Sequence, residues 1–437
     1  MKTKNSLLVL CCISTLVYAA FAGAQALPTA KPESVGLSTE RLQNISTVFR
    51  KHVDQGALPG VTFMVARNGK LAYTDAIGAR NVVKRQPMTS DSIFRIYSMT
   101  KPLVSVAAMM LVEDGAIQLT DPVSKFLPSL QNRPVSVARV DAEFAKTSYS
   151  LVPSQREMTV QDLLRHTAGL IYGEISSNKP AKDAYANSGL YRTNTNFDIR
   201  DQTPRKQIAA FSRAPLAHQP GTVWEYSLAS DLLGRVVETV SGKRLADFLD
   251  QRLFNPLKMV DSGFWVDAAN LARVAEPLAT DAAGKKTAQL VDVSIVPAND
   301  SGGAGGVSTV GDYLRFSQML LNGGQLGGNR VLSRSSVALM ASDHLGDHIS
   351  APLTPGELLL GVPGYTFGLG FAVREEQGIA GVPGSQGEFM WGGYAGTFFW
   401  IDPAEQIVAV YMSQAPGPKR AYYRKLFKQL VYAAIID

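Results

Sequence analysis

Cysteine is almost missing from this 437-residue chain: Cys11 and Cys12 are the only two, adjacent in an N-terminal apolar stretch. Everything beyond residue 26 therefore lacks disulfides, thiolate metal ligands and a cysteine nucleophile. Histidine is nearly as scarce. His52, His166, His218, His344 and His348 are the whole set, and none sits in a His-Glu-x-x-His arrangement, so zinc-protease chemistry lacks its ligands. No metal and no cofactor is expected. A net charge of +6 comes without any basic run or aromatic-interleaved basic stripe, so nucleic acid is not an expected partner. Gly-x-Ser-x-Gly is absent too; Gly384-Ser385-Gln386-Gly387 falls short of a nucleophile elbow.

What is present is ordinary for a globular protein of two or three domains, with 46% hydrophobic and 18% charged residues. Lys2 and Lys4, the apolar run Leu7–Ala20 and the small-residue site Ala24-Gln25-Ala26 read as a signal peptide over residues 1–26. Leu10 before Cys11 argues against lipoprotein processing. Cleavage would leave a periplasmic or secreted protein with no stable membrane insertion.

Periodicity then divides the chain into three. Ser38 caps a helix carrying Leu42, Ile45, Val48 and Phe49, and Val61–Arg67, Asn68-Gly69 and Lys70–Tyr73 predict a β-hairpin. From 118 to 300 the pattern is mostly helical, with little that looks like strand and a polar surface excursion over 172–205. The C-terminal part alternates as strand over Thr366–Arg374, Phe389–Ile401 and Ile407–Ser413, and closes with an amphipathic helix, Lys419–Ile436. The expectation is an α+β fold. Residues 27–117 and 301–437 form an antiparallel sheet flanked by the terminal helices, and the helical domain 118–300 is inserted between them. Residues 343–364, rich in proline and leucine, are suited to line a cleft.

One stretch carries chemistry. Ser98-Met99-Thr100-Lys101 opens a run, Leu103 to Val112, that is apolar on nearly every face and stops at Gly115; such a helix belongs in a core. Ser-x-x-Lys puts a hydroxyl and an amine one turn apart, which can make a serine nucleophilic with lysine as its base. About one or two such matches arise by chance in a chain this long. A second, Ser176-Ser177-Asn178-Lys179, has only polar sequence behind it and is discounted, as is the Glu174/Asn178 spacing. Tyr226-Ser227-Leu228 sits at a loop–helix junction, and Trp391-Gly392-Gly393-Tyr394 lies on a predicted strand where glycines allow a ligand close to the backbone. The glycine-dense Ser301–Thr309 matches no phosphate-binding pattern and is read as close backbone packing.

In this order these motifs, with Leu164–Leu170 (Leu-Arg-His-Thr-Ala-Gly-Leu), resemble the serine β-lactamase and penicillin-binding-protein superfamily, and most of all its class C-like esterases, the family VIII carboxylesterases. The resemblance covers essentially all of the chain after residue 26. It implies Ser98 as the acylated nucleophile, Lys101 and Tyr226 as general base and acid, and the N–H groups of Ser98 and Tyr394 as oxyanion donors beside Trp391, Gly392 and Gly393. It also implies a small-molecule ester as substrate. Where lactamases carry Lys-Thr-Gly, this chain has Trp391-Gly392-Gly393, and Leu228 replaces an asparagine. An indole in place of a cation argues for neutral or apolar acyl groups, hence esters. The alternatives are a β-lactamase, a DD-peptidase-type or amide hydrolase, an acyltransferase, and a non-catalytic penicillin- or muropeptide-binding protein.

Overall fold

The computed structural model describes residues 27–141, 146–192, 198–280 and 284–437; the signal-peptide reading of residues 1–26 lies outside them. Among the described residues the largest sheet has eight antiparallel strands. Their order is Tyr365–Phe367, Ala372–Arg374, Phe389–Gly392, Phe398–Asp402, Ile407–Ser413, Gly60–Arg67, Lys70–Asn81 and Gln86–Pro87. The first and last parts of the chain meet at its centre, where Gly60–Arg67 pairs with Ile407–Ser413 in the register Phe63 opposite Tyr411. The Asn68-Gly69 hairpin forms as expected, with both residues at positive φ (53° and 73°).

Each layer over the sheet follows from its apolar stripe. The capped helix Thr39–Asp54 buries Leu42, Ile45 and Phe49, and the closing helix Arg420–Tyr432 buries Tyr423, Phe427 and Val431. They meet the sheet through Phe49, Phe63, Tyr411 and Phe427, whose ring centroids lie 4.8–6.5 Å apart. Helix Val310–Leu321 packs on Phe398–Asp402 and Ile407–Ser413, while Thr100–Glu113 packs on Ala229–Ser241. Thr100–Glu113 is buried from Thr100 to Leu111, as its all-round apolar sequence requires, and Gly115 ends it at φ 72°.

Three expectations need correction. The region 118–300 holds a β-hairpin, Val135–Asp141 with Lys146–Val152; its alternation is short and lies at the surface, so it leaves little apolar signal. The long C-terminal runs break in two. Thr366–Arg374 is interrupted at Gly368–Gly370 and Phe389–Ile401 at Gly393–Thr397. In the second case Gly393 N–H donates to the Thr397 carbonyl at 2.9 Å and closes a turn, so Tyr394 lies past the strand end. Finally, the excursion 172–205 is not simply polar surface: Tyr172 is buried, and Lys179–Ser188 is a helix capped by Asn178.

Candidate active site

Ser98 lies in a 3₁₀ turn, Tyr97–Met99, that runs straight into the buried helix. Its backbone is locked on both sides. Phe94–Arg95 pairs with Val307–Ser308 of the glycine-dense stretch. Gly306 N–H donates to Thr100 Oγ1 at 2.9 Å, and that hydroxyl donates to the Tyr97 carbonyl at 2.6 Å. Tyr97 itself is held at φ 44°, sparsely populated backbone for an aromatic residue. Its hydroxyl accepts from Val291 N–H at 3.0 Å, which fixes the bend that presents Ser98.

Lys101 is fully buried one turn further on. Its Nζ donates to the Tyr172 hydroxyl at 2.9 Å and the Gly303 carbonyl at 2.8 Å. It also lies 4.6 Å from the centroid of the Tyr226 ring. The amine therefore meets Tyr226 through its ring face, and the tyrosine it bonds is Tyr172. Burial lowers Lys101 to about 7, with the charge of Asp231 opposing. Asp231 sits in the first turn of Ala229–Ser241, accepts from Ser301 Oγ at 2.6 Å, and is pushed upward by its own burial. A Cβ on Gly303 would come within 2.2 Å of the Asp231 carboxylate, so glycine at 303 is what allows this loop to reach Lys101.

The Tyr226 hydroxyl is buried and makes no hydrogen bond of normal length. Ser98 and the Trp391 indole both face it, partly offsetting the burial that raises the phenol. The Trp391 Nε1–H is likewise buried without a partner, and its ring lies 5.4 Å from that of Tyr226. The turn bearing Tyr226 is clamped to the Leu164–Leu170 stretch. Glu225 N–H donates to the His166 carbonyl, and Leu228 N–H to the Ile171 carbonyl. His166, at φ 58°, bonds Ser227 Oγ through Nδ1 at 3.0 Å, and burial holds its ring well below its ordinary pKa, hence neutral.

These groups surround a pocket of about 330 Å³ lined by Ser98, Tyr226, Trp391, Gly392, Gly393 and Tyr394. All the sequence-predicted site residues therefore converge, with Lys101 directly behind Tyr172 and Tyr226. A Cβ on Gly393 would lie 2.3 Å from the Ile96 carbonyl; only glycine lets the strand end close against the turn that carries Ser98. Leu358 and Leu359, on the short helix Pro355–Leu360 inside the proline- and leucine-rich stretch 343–364, contribute apolar wall, and Glu174, Ile175, Arg420 and Arg424 also line the pocket. A second cavity of about 340 Å³, beside Asp247, Asp250 and Phe264, contains none of the predicted residues. Among the described residues no acidic, histidine or cysteine cluster could hold a metal ion, and no helix is long and apolar enough to cross a membrane.

A serine and a buried lysine three residues apart face the end of the antiparallel strand Phe389–Gly392, and residues 45–433 match the model for Beta-lactamase. The chain belongs to the beta-lactamase family. It is 35% identical to the protein Rv1367c of Mycobacterium tuberculosis over 84% of this chain and 88% of that one. It is 30% identical to Esterase EstB of Burkholderia gladioli over 82% and 87%. Among solved structures, EstCE1, described as a hydrolase with promiscuous acyltransferase activity, superposes with a TM-score of 0.72 at 26% identity, covering 90% of this chain and 98% of that one. The protein is a serine hydrolase of this fold, related to esterases and acyltransferases. Tyr172, Asp231, Arg420 and Arg424 were not singled out by sequence. Tyr172 follows the His-Thr-Ala-Gly-Leu stretch by two residues. The arginines could have been suspected only as charges on the apolar face of the closing helix.

Proposed function

We propose that the protein hydrolyses carboxylic esters of small or medium size through an acyl-enzyme on Ser98. The observation that carries this reading is the fully buried Lys101, held at about 7 beside a serine that opens into a pocket walled by Trp391, Tyr226 and leucines. At neutral pH about half of such an amine is unprotonated and able to accept a proton. Ser98 Oγ attacks the ester carbonyl as its proton passes toward the Tyr226 hydroxyl and Lys101. The tetrahedral oxyanion takes hydrogen bonds from the N–H groups of Ser98 and Tyr394. Collapse expels the alcohol, which carries the proton away. Water then attacks the acyl carbonyl by the reverse relay, releasing the acid and restoring Ser98.

The same acyl-enzyme accepts an alcohol as readily in principle as water. The description of EstCE1 as a promiscuous acyltransferase favours acyl transfer as the second outcome. Trp391 stands where a lactamase would carry lysine, which weighs against β-lactams, peptides and a purely penicillin-binding role. Export by residues 1–26 to the periplasm or beyond belongs to the same reading; N-terminal sequencing of the exported protein is expected to begin at Leu27.

The test compares p-nitrophenyl butyrate with nitrocefin, using protein with intact Ser98 and Ser98→Ala, and seeks an acyl adduct by mass spectrometry. The ester is expected to turn over faster, with an adduct on the peptide containing Ser98 and neither signal in the variant. Ester turnover that survives Ser98→Ala would sink the mechanism; faster nitrocefin hydrolysis would sink the substrate class.

A further inference from the structure

A third cavity, of about 280 Å³, shares no lining residue with the Ser98 pocket. One wall is the hairpin Val135–Asp141 with Lys146–Val152. Ser136 pairs with Leu151 and Ala138 with Tyr149, so Ser136 and Tyr149 project from one face of the pair. The hairpin is held along its other edge. Ser136 N–H donates to the Leu216 carbonyl at 2.7 Å, and Asn178 Nδ2 donates to the Ser136 carbonyl at 3.0 Å. Two further segments close the cavity: Ser176 and Ser177 follow Glu174, while His218 and Glu225 bracket the turn that leads into Tyr226. The segments that give Glu174 and Tyr226 to the Ser98 pocket thus give Ser176 and Glu225 to this one.

The groups facing this space are neutral or already paired in charge, and they retain hydrogen-bonding capacity. Ser136 is 1% exposed and its Oγ is buried with no partner, an arrangement that costs free energy until a bond is supplied. Ser176 Oγ accepts from Asn178 N–H at 3.3 Å and keeps its own proton to donate. His218 Nε2 and Glu225 Oε2 lie 2.6 Å apart. That contact fixes both side chains and leaves the second ring nitrogen and the second carboxylate oxygen for a ligand. Tyr149 adds an aromatic face, with its hydroxyl anchored to the Ser177 carbonyl at 3.3 Å. Among the described lining residues there is no lysine or arginine, and the one carboxylate is engaged by histidine. An anion would find no counter-charge, and a cation would have to compete with His218. Hydroxyl donors and acceptors beside a single aromatic ring match a pyranose, whose C–H face lies on the ring while its hydroxyls reach the polar wall.

We propose that this cavity is a binding site for one neutral hexose unit. It stands apart from the ester-hydrolase reading, and neither depends on the other.

The full chain is titrated calorimetrically with methyl β-D-glucopyranoside and N-acetyl-D-glucosamine, with glucosamine and glucuronate as cationic and anionic counterparts. At least one neutral sugar is expected to give a saturable isotherm, about tenfold tighter or more than either charged sugar. Tyr149→Ala should weaken that binding about tenfold or more, and Ser136→Ala by a smaller factor. Ala138 lines the same cavity from an exposed position on the hairpin. Ala138→Trp should therefore fill the space and abolish binding while leaving the thermal unfolding midpoint in place, which separates a blocked site from a misfolded one. The site is overturned if neither neutral sugar binds, or if glucosamine or glucuronate binds as tightly. Sugar binding that survives Ala138→Trp would place the ligand elsewhere on the molecule and overturn it equally.

Discussion

At the scale of single residues, the site is organised around keeping Lys101 uncharged. Its Nζ donates to a neutral phenol and a carbonyl and faces the Tyr226 ring, and Asp231 adds a charge that favours the ammonium, but burial outweighs them and lowers the amine to about 7. In the proposed mechanism the reactive form is the free amine, so kcat/KM on a neutral ester should rise with pH through a limb centred near 7. Asp231→Asn removes the charge that raises Lys101, and the limb should then move to lower pH. A limb that stays in place, or moves upward, would mean another group sets it. Ser98 and Lys101 could be paired from the sequence because only two residues separate them, across the junction of the 3₁₀ turn and the buried helix. Tyr172 and Asp231 were not: each reaches Lys101 from a different segment, and no local spacing links them to it.

At the scale of elements, the decisive feature is where the strand Phe389–Gly392 stops. A continuous strand was expected through Tyr394, because alternation cannot register a single turn closed by one backbone bond. Gly393 makes that turn and lies against the Ile96 carbonyl. Gly393→Ala should force the two apart, at about 1–3 kcal/mol in stability, measured by urea denaturation. It should also lower kcat more than it raises KM, because Tyr394 N–H would shift from the position proposed for the oxyanion. Loss of stability with kcat unchanged would remove Tyr394 from that role. The hairpin Val135–Val152 escaped detection for a related reason: a short surface pair leaves little periodic apolar burial to read.

At the scale of the whole molecule, the closing helix both seals the sheet and supplies charge to the pocket. It is held by a largely buried network around Lys428 and Glu388. Lys428 Nζ bonds Glu388, and the Tyr432 hydroxyl lies 2.9 Å from Glu388 and 2.5 Å from Asp402, its one proton shared between the two carboxylates. Arg374 reaches Glu388 at 3.4 Å, and Tyr365 donates to it at 2.6 Å. Lys428→Met removes the nearer of the two cations beside buried Glu388, leaving Arg374, and is expected to cost about 3 kcal/mol; adding Glu388→Gln should recover part of this. Equal destabilisation in the single and double variants would show that Lys428 acts through packing rather than charge.

The sequence by itself determined what is local or periodic. The hairpin at Asn68-Gly69, the buried helix behind Ser98, the sheet-forming ends of the chain and the order of the motifs all follow from spacing, turn chemistry and apolar pattern within short windows. The architecture follows too, since strands at both ends with helices between them pair most simply as one antiparallel sheet. Only the tertiary structure decided which tyrosine bonds Lys101, which carboxylate stands behind it, and whether the pocket facing Ser98 is neutral. Those outcomes depend on segments far apart in the chain being brought within hydrogen-bonding distance and stripped of water. Burial lowers an ordinary lysine toward neutrality, and burial is a property of the folded molecule.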